Sequence, residues 1–188
     1  MVRKALISIL TVPAALLLTA SIALASTDAA DRKDLQLFKD VAKSVNRYAH
    51  FTIFDDVNAQ VNDGVVTLTG KVTMPYKRDD IMKRVADVAG VLEVRDNIEV
   101  LPVSQFDDQL RYRVARAIYR NPNFSNYAIG PNPSIHVIVE HGHVTLTGVV
   151  NNDMDRIIAR SLVTQFGVMS VTNDLKTDAE VRDQLEKS

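Results

Sequence analysis

Three pairs of adjacent acids, Asp55-Asp56, Asp79-Asp80 and Asp107-Asp108, and three histidines in one short stretch, His136, His141 and His143, have side chains that could do chemistry. Paired carboxylates suit general acid–base catalysis or a divalent metal, and the histidines with Glu140 could ligate a transition metal. Their spacing argues against both. The acid pairs fall in a loop, in an early helical turn and just before a helix, where carboxylates cap backbone N–H groups and oppose the helix dipole. If His141-Gly142 is a hairpin turn, Glu140 faces His143 and His136 faces Thr147. At roughly 3.3 Å per residue this puts His136 about 13 Å from His143, too far to share an ion. Glu140, His141 and His143 lack a fixed set of supporting hydrogen bonds for a selective metal site. No nucleophile elbow, phosphate loop or zinc-binding His-x-x-x-His helix is present. The expectation is a chain with no catalytic residues, no metal and no cofactor.

A different chemistry is written on two helical stretches. Over residues 34–48 the face opposite the apolar stripe carries Gln36, Asp40, Lys43 and Arg47, a solvated mixture. Over 108–120 the corresponding face carries Tyr112, Arg116 and Tyr119, flanked by Arg113 and Arg120, with Arg111 on the other flank. Tyrosine joins an apolar ring to a wet hydroxyl, and arginine pairs bidentately with phosphate. Either this face meets an anionic partner, or the rings pack on the rest of the protein while the arginines pair with acids.

The elements that position these residues come in duplicate. Residues 63–70 read DGVVTLTG and 141–148 read HGHVTLTG, 78 residues apart. Before each octamer, apolar residues alternate (Val57, Ala59, Val61; Ile135, Val137, Val139), the period of a half-buried strand. Asp63-Gly64 is a type I′ turn signal, with His141-Gly142 in the same place. The returning strands bury Val66 and Leu68, or Val144 and Leu146, and end at Gly70 and Gly148, where a side chain would obstruct the bend or a packed helix. A helix follows each hairpin, with Pro75 at its start in one copy and Asn151-Asn152 as caps in the other. Gly90 and Gly167 stop these helices. Both copies close with a strand, residues 91–100 and 168–175, where the offset has slipped to 77. A helix also precedes each hairpin, with the apolar stripes Leu35, Phe38, Val41, Ala42, Val45 and Leu110, Val114, Ala117, Ile118. The fold class is therefore α+β: two tandem αββαβ domains, each a three-stranded mixed sheet with two helices on one face. The short connection 101–106 predicts docked domains.

With these residues in place the chain resembles the BON family, named for bacterial osmotically inducible and nodulation proteins. The pattern G-x-V-x-L-x-G-x-V stands at Gly64-Val66-Leu68-Gly70-Val72 and at Gly142-Val144-Leu146-Gly148-Val150, and a later G-V-x-x-V segment at Gly90 and Gly167. The resemblance implies a non-enzymatic envelope module of Gram-negative bacteria. Some tandem members bind anionic phospholipid through the first helix of the second domain, which makes Tyr112, Arg113, Arg116, Tyr119 and Arg120 the expected lipid-binding residues. The lipoprotein branch of the family carries an acylated cysteine. This chain has no cysteine and is more similar to the osmotically inducible periplasmic branch, tied to osmotic stress and outer-membrane integrity.

The ends and composition agree. Arg3 and Lys4, an apolar run from Ala5, and Ala23-Leu24-Ala25 before Ser26 read as a secretory signal peptide with cleavage expected after Ala25; the alternative is an uncleaved membrane anchor over Ala5 to Ala25. The expected division is 1–25 signal peptide, 31–102 first domain, 107–178 second domain and 179–188 C-terminal tail. The formal charge is −1, and loss of Arg3 and Lys4 makes the exported chain more acidic. No global field then draws nucleic acid, so an anionic partner must be met by a local patch. The expected partner is an anionic phospholipid surface; the alternative is an envelope protein, without lipid.

Overall fold

A computed structural model of the chain describes residues 19–129 and 133–187, with side chains described over 33–129 and 133–184. Most of the expected signal peptide, residues 1–18, lies outside the described residues. The first unit consists of α1 (Thr19–Asn46), β1 (Asp56–Asn62), β2 (Val65–Val72), α2 (Pro75–Ala86) and β3 (Glu93–Val100). The second consists of α3 (Gln105–Tyr119), a 3-10 helix (Pro122–Ala128), β4 (Ile135–Glu140), β5 (His143–Val150), α4 (Asp153–Thr164), β6 (Ser170–Asn173), β7 (Lys176–Thr177) and α5 (Asp178–Lys187). Within each unit the first two strands pair antiparallel and the third pairs parallel to the second, giving the expected mixed sheets. Glu140 faces His143 and His136 faces Thr147, as the turn predicts. The closing strand of the second unit differs from its counterpart: it breaks around Asp174-Leu175 into β6 and β7, both parallel to β5. The segment expected as a C-terminal tail continues as α5.

Each core lies between the helices and one sheet face. Leu110, Val114 and Ile118 of α3 and Ala159 and Val163 of α4 cover Val144, Leu146 and Val150. In the first unit the stripe on α1 is rotated from the expected one. Leu37, Val41, Val45 and Tyr48 are buried, Leu35 is exposed, and Phe38 is only half-buried. Tyr48 explains the rotation: its hydroxyl donates to Asp80 at 2.6 Å and fixes the end of α1 against α2. Phe38 and Ala42 turn instead toward the second unit, lining an interdomain cleft of about 910 Å³ with His136 and Thr147.

Gly70 and Gly148 are explained by the neighbouring strand rather than by a helix or bend. Their φ angles are 123° and 110°. A Cβ on Gly70 would lie 2.1 Å from the Asp56 carbonyl oxygen, and one on Gly148 would lie 1.9 Å from that of Ser134. Gly90 and Gly167 are not the residues directly after the helices, because Asp87 and Gln165 form the C-caps and the glycines sit further into the turns.

The units are docked along the loop between α1 and β1. The Val137 N–H donates to the Ile53 carbonyl at 2.7 Å, so this loop extends the free edge of β4. The His136 Nδ1 lies 2.6 Å from the Asp55 carbonyl oxygen, which can only accept, so Nδ1 carries the proton. Phe51 packs on the His136 ring, and Lys71 bridges Glu99 of its own unit and Glu140 of the other.

Candidate binding surface

Of the acids singled out by their types, Asp55, Asp56, Asp80, Asp107 and Asp108 are engaged in hydrogen bonds or ion pairs, and Asp79 is exposed. The Asp107 carboxylate is buried and accepts the N–H groups of His141 and Gly142 at 2.9 and 2.8 Å. These are the turn residues, with φ angles of 51° and 79°. Asp34 does the same for Asp63 and Gly64 at 2.7 and 3.2 Å. Each first helix thus grips its own hairpin through one carboxylate, and Ser104, not the acid pair, caps α3.

Asp55 has no counterpart in the second unit. It is fully buried and accepts from Thr52, Thr73 and Lys77, the ammonium at 2.6 Å. Burial alone would push this carboxyl up, but those hydrogen bonds outweigh it and hold the group below the ordinary carboxylate range. Burial wins at Asp56, which is shifted up. Pro133 stands where the repeat would place a second Asp55. There Tyr127 links the Asn151 N–H to Asp155 instead, and burial pushes its hydroxyl up to about 12. The histidines are also engaged separately, His136 with Asp55 and His143 Nδ1 with Ser170 Oγ at 2.7 Å. Among the described residues no three His, Asp or Glu side chains converge as metal ligands.

The α3 residues divide between two flanks. Tyr119 is not on the solvent face. Its hydroxyl donates to the Ile135 carbonyl, its ring packs on the second core, and burial raises its pKa. The cause is its position over β4, the edge strand beside the first unit. Tyr112 lies on the same flank, 65% exposed, but its ring meets Phe54 of the interdomain loop edge-on at 5.3 Å. Arg111 is buried, bound to Asp108 and to the Val139 carbonyl at 2.7 Å.

Arg113, Arg116 and Arg120 are exposed on the opposite flank. With Ala117 and Asn121 they surround a shallow depression of about 380 Å³ against Phe166, just beyond α4. Arg111 on the other flank has a carboxylate and a carbonyl partner; among the described residues these three have none. The i, i+3 and i+7 spacing from 113 sets them along one helix face. The result is a strip of free guanidinium groups around an apolar floor. It can bind phosphate or another anion presented on a surface. The floor was not legible in α3 itself, because Phe166 comes from the α4–β6 connection.

The sequence profile of the BON domain family matches residues 33–102 and 106–187. The chain belongs to the BON family. BON domains are binding modules, generally non-catalytic and typical of the periplasm and cell envelope. No curated protein matches this BON chain. Among solved structures it is similar to CdsD, a structural protein of the type III secretion system of Chlamydia trachomatis, at 16% identity and a TM-score of 0.27. That match covers 80% of this chain and 97% of the other. The C-terminal domain of CdsD matches at 15% identity and a TM-score of 0.26, over 73% and 94% of the two chains. Among the described residues, no helix is long and apolar enough to cross a membrane.

Proposed function

We propose that this protein is a non-enzymatic periplasmic module that binds anionic phospholipid surfaces through α3 of its second domain and supports envelope integrity under osmotic stress. The observation that carries the reading is the strip of Arg113, Arg116 and Arg120, exposed and without carboxylate partners on an acidic chain. A guanidinium left unpaired among so many acids is available for phosphate. The counterpart helix α1 supports the contrast, since its exposed face mixes Gln36, Lys39, Asp40 and Lys43, with Arg47 just beyond its end. Tyr112 and Tyr119, on the other flank, are assigned to the contact with Phe54 and to core packing, and the arginines alone form the proposed site. The signal peptide delivers the chain to the periplasm, and the absence of cysteine leaves attachment to the bilayer reversible.

Three basic residues near an anionic surface contribute about 1 kcal/mol each. Flotation of the exported form with phosphatidylcholine vesicles, with and without phosphatidylglycerol, tests the reading. Binding should require the anionic lipid and weaken as salt rises, because the attraction is screened. Absence of binding to either vesicle at low salt contradicts it and leaves an envelope protein as the partner.

A further inference from the structure

The two copies of the fold diverge on the helix next to this strip. The first copy's α2 presents Asp79, Asp80, Lys83 and Arg84 where α4 presents Ile157, Ile158, Ser161 and Leu162, at the constant offset of 78. Met154 and Ile157 are 62% and 61% exposed, although α4 already buries Ala159 and Val163 on its opposite side. An exposed apolar stripe at i and i+3 on a helix with a satisfied core face marks a contact surface. Chain direction brings the two helices together: β5 ends far from the hairpin tip, so α4 begins there, beside the C-terminal half of α3 that carries the arginines. Ile158, Leu162 and Phe166 fill the space between them and pack on the core. Arg160, exposed and unpaired, borders the stripe on its other side. The acids at the start of α4 are occupied, Asp153 by Arg156 and Asp155 by Tyr127.

We propose that α4 is the inserting half of a two-helix membrane contact: Met154 and Ile157 enter the acyl region of an anionic bilayer while Arg113, Arg116, Arg120 and Arg160 hold the surrounding phosphates. This rests on the lipid reading above and adds to it the second helix and its depth. Guanidiniums on both sides of an apolar stripe, with no free acid between, complement a phosphate plane over hydrocarbon. Helix α2 has the half-exposed Tyr76 at the position of Met154 but Asp79 at that of Ile157, so its stripe is interrupted by charge and it stays outside the bilayer.

The chain contains no tryptophan, so a single introduced indole reports depth without background. Ile157→Trp, with Met154→Trp as a second probe and Asp79→Trp as the matched position in the first copy, is titrated with phosphatidylglycerol vesicles carrying brominated acyl chains. The α4 probes should shift to the blue and be quenched, and the α2 probe should do neither. Met154→Ser with Ile157→Ser should keep the parent melting temperature and lose roughly tenfold or more in vesicle affinity, as withdrawal of two large apolar side chains requires. A parent that binds vesicles, with α4 probes unquenched and the serine pair unchanged, overturns the insertion and leaves the arginine site standing. A parent that binds no vesicle removes both. Dimerisation of the lipid-free parent, abolished by the serine pair, would give the stripe to a second copy of the chain and overturn the membrane assignment.

Discussion

Gly148→Ala is the smallest change that probes the corner written twice in this chain. An alanine Cβ at this position would sit 1.9 Å from the Ser134 carbonyl oxygen, and the neighbour is backbone, which cannot rotate away. The φ of 110° lies where side chains are rarely tolerated, a strain of about 1–3 kcal/mol. Relieving the clash requires the start of β4 to move off β5. That breaks the bond from the Val149 N–H to Ser134 at 3.0 Å, at a cost of about 1 kcal/mol. The combined loss is about 2–4 kcal/mol, which for a domain of this size lowers the melting temperature by roughly 10–30 °C. Calorimetry of the parent and the variant reads it directly, and Gly70→Ala should do the same to the first domain. The control is Gly167→Asn. Gly167 has a φ of 65° and nothing within 4 Å of a Cβ, and asparagine accepts that conformation, so the change should stay within about 1 kcal/mol. If Gly148→Ala melts with the control, the close strand contact does not exist in solution.

The other interior predictions follow from buried polar groups. Asp107→Ala leaves the His141 and Gly142 N–H groups without acceptors and should cost about 2–4 kcal/mol in urea unfolding, with Asp107→Asn recovering part of it. Asp55→Asn leaves the Lys77 ammonium without its charge partner and should cost about 3–5 kcal/mol at neutral pH. The folded Asp55 carboxyl ionises below its unfolded value, so its stabilisation is present above the ordinary aspartate pKa of about 4 and is lost as pH falls below that toward the lower folded value. The parent–variant gap should therefore narrow on acidification, and a constant gap would contradict the assignment. Tyr119→Phe removes the hydroxyl bound to Ile135 and should lower stability by about 1 kcal/mol without altering vesicle binding; loss of binding would return this ring to the surface.

The repeat made most of the fold legible. Period-two runs before Asp63-Gly64 and His141-Gly142 placed the hairpins and their register, because a turn with positive φ at both central residues leaves no freedom to slip. The break between β6 and β7 left no comparable signal, nor did the grip of Asp34 and Asp107 on turns about thirty residues away, since a carboxylate near a helix start reads equally as a cap. On α3 a helical wheel separated the core stripe from everything else but could not divide the rest. Tyr119 and Arg113 both lie off the stripe. Only the position of β4 and the interdomain loop sends the tyrosine inward and leaves the arginine in water. Phe38 shows the same limit on α1, apolar by type but directed to the cleft rather than the core.

The central claim is that one helix of the duplicated pair is a site and the other is not. The measurement that tests it most directly is the affinity of the exported protein for phosphatidylglycerol vesicles after Arg116→Glu with Arg120→Glu at the end of α3, set against Lys43→Glu with Arg47→Glu at the end of α1. Both pairs are exposed and carry equal charge, so net charge changes identically. At about 1 kcal/mol per basic residue, reversing the α3 pair should weaken binding well over tenfold, while the α1 pair leaves it near the parent value. Equal losses from the two pairs would mean diffuse attraction to the whole chain and would contradict a binding site on α3.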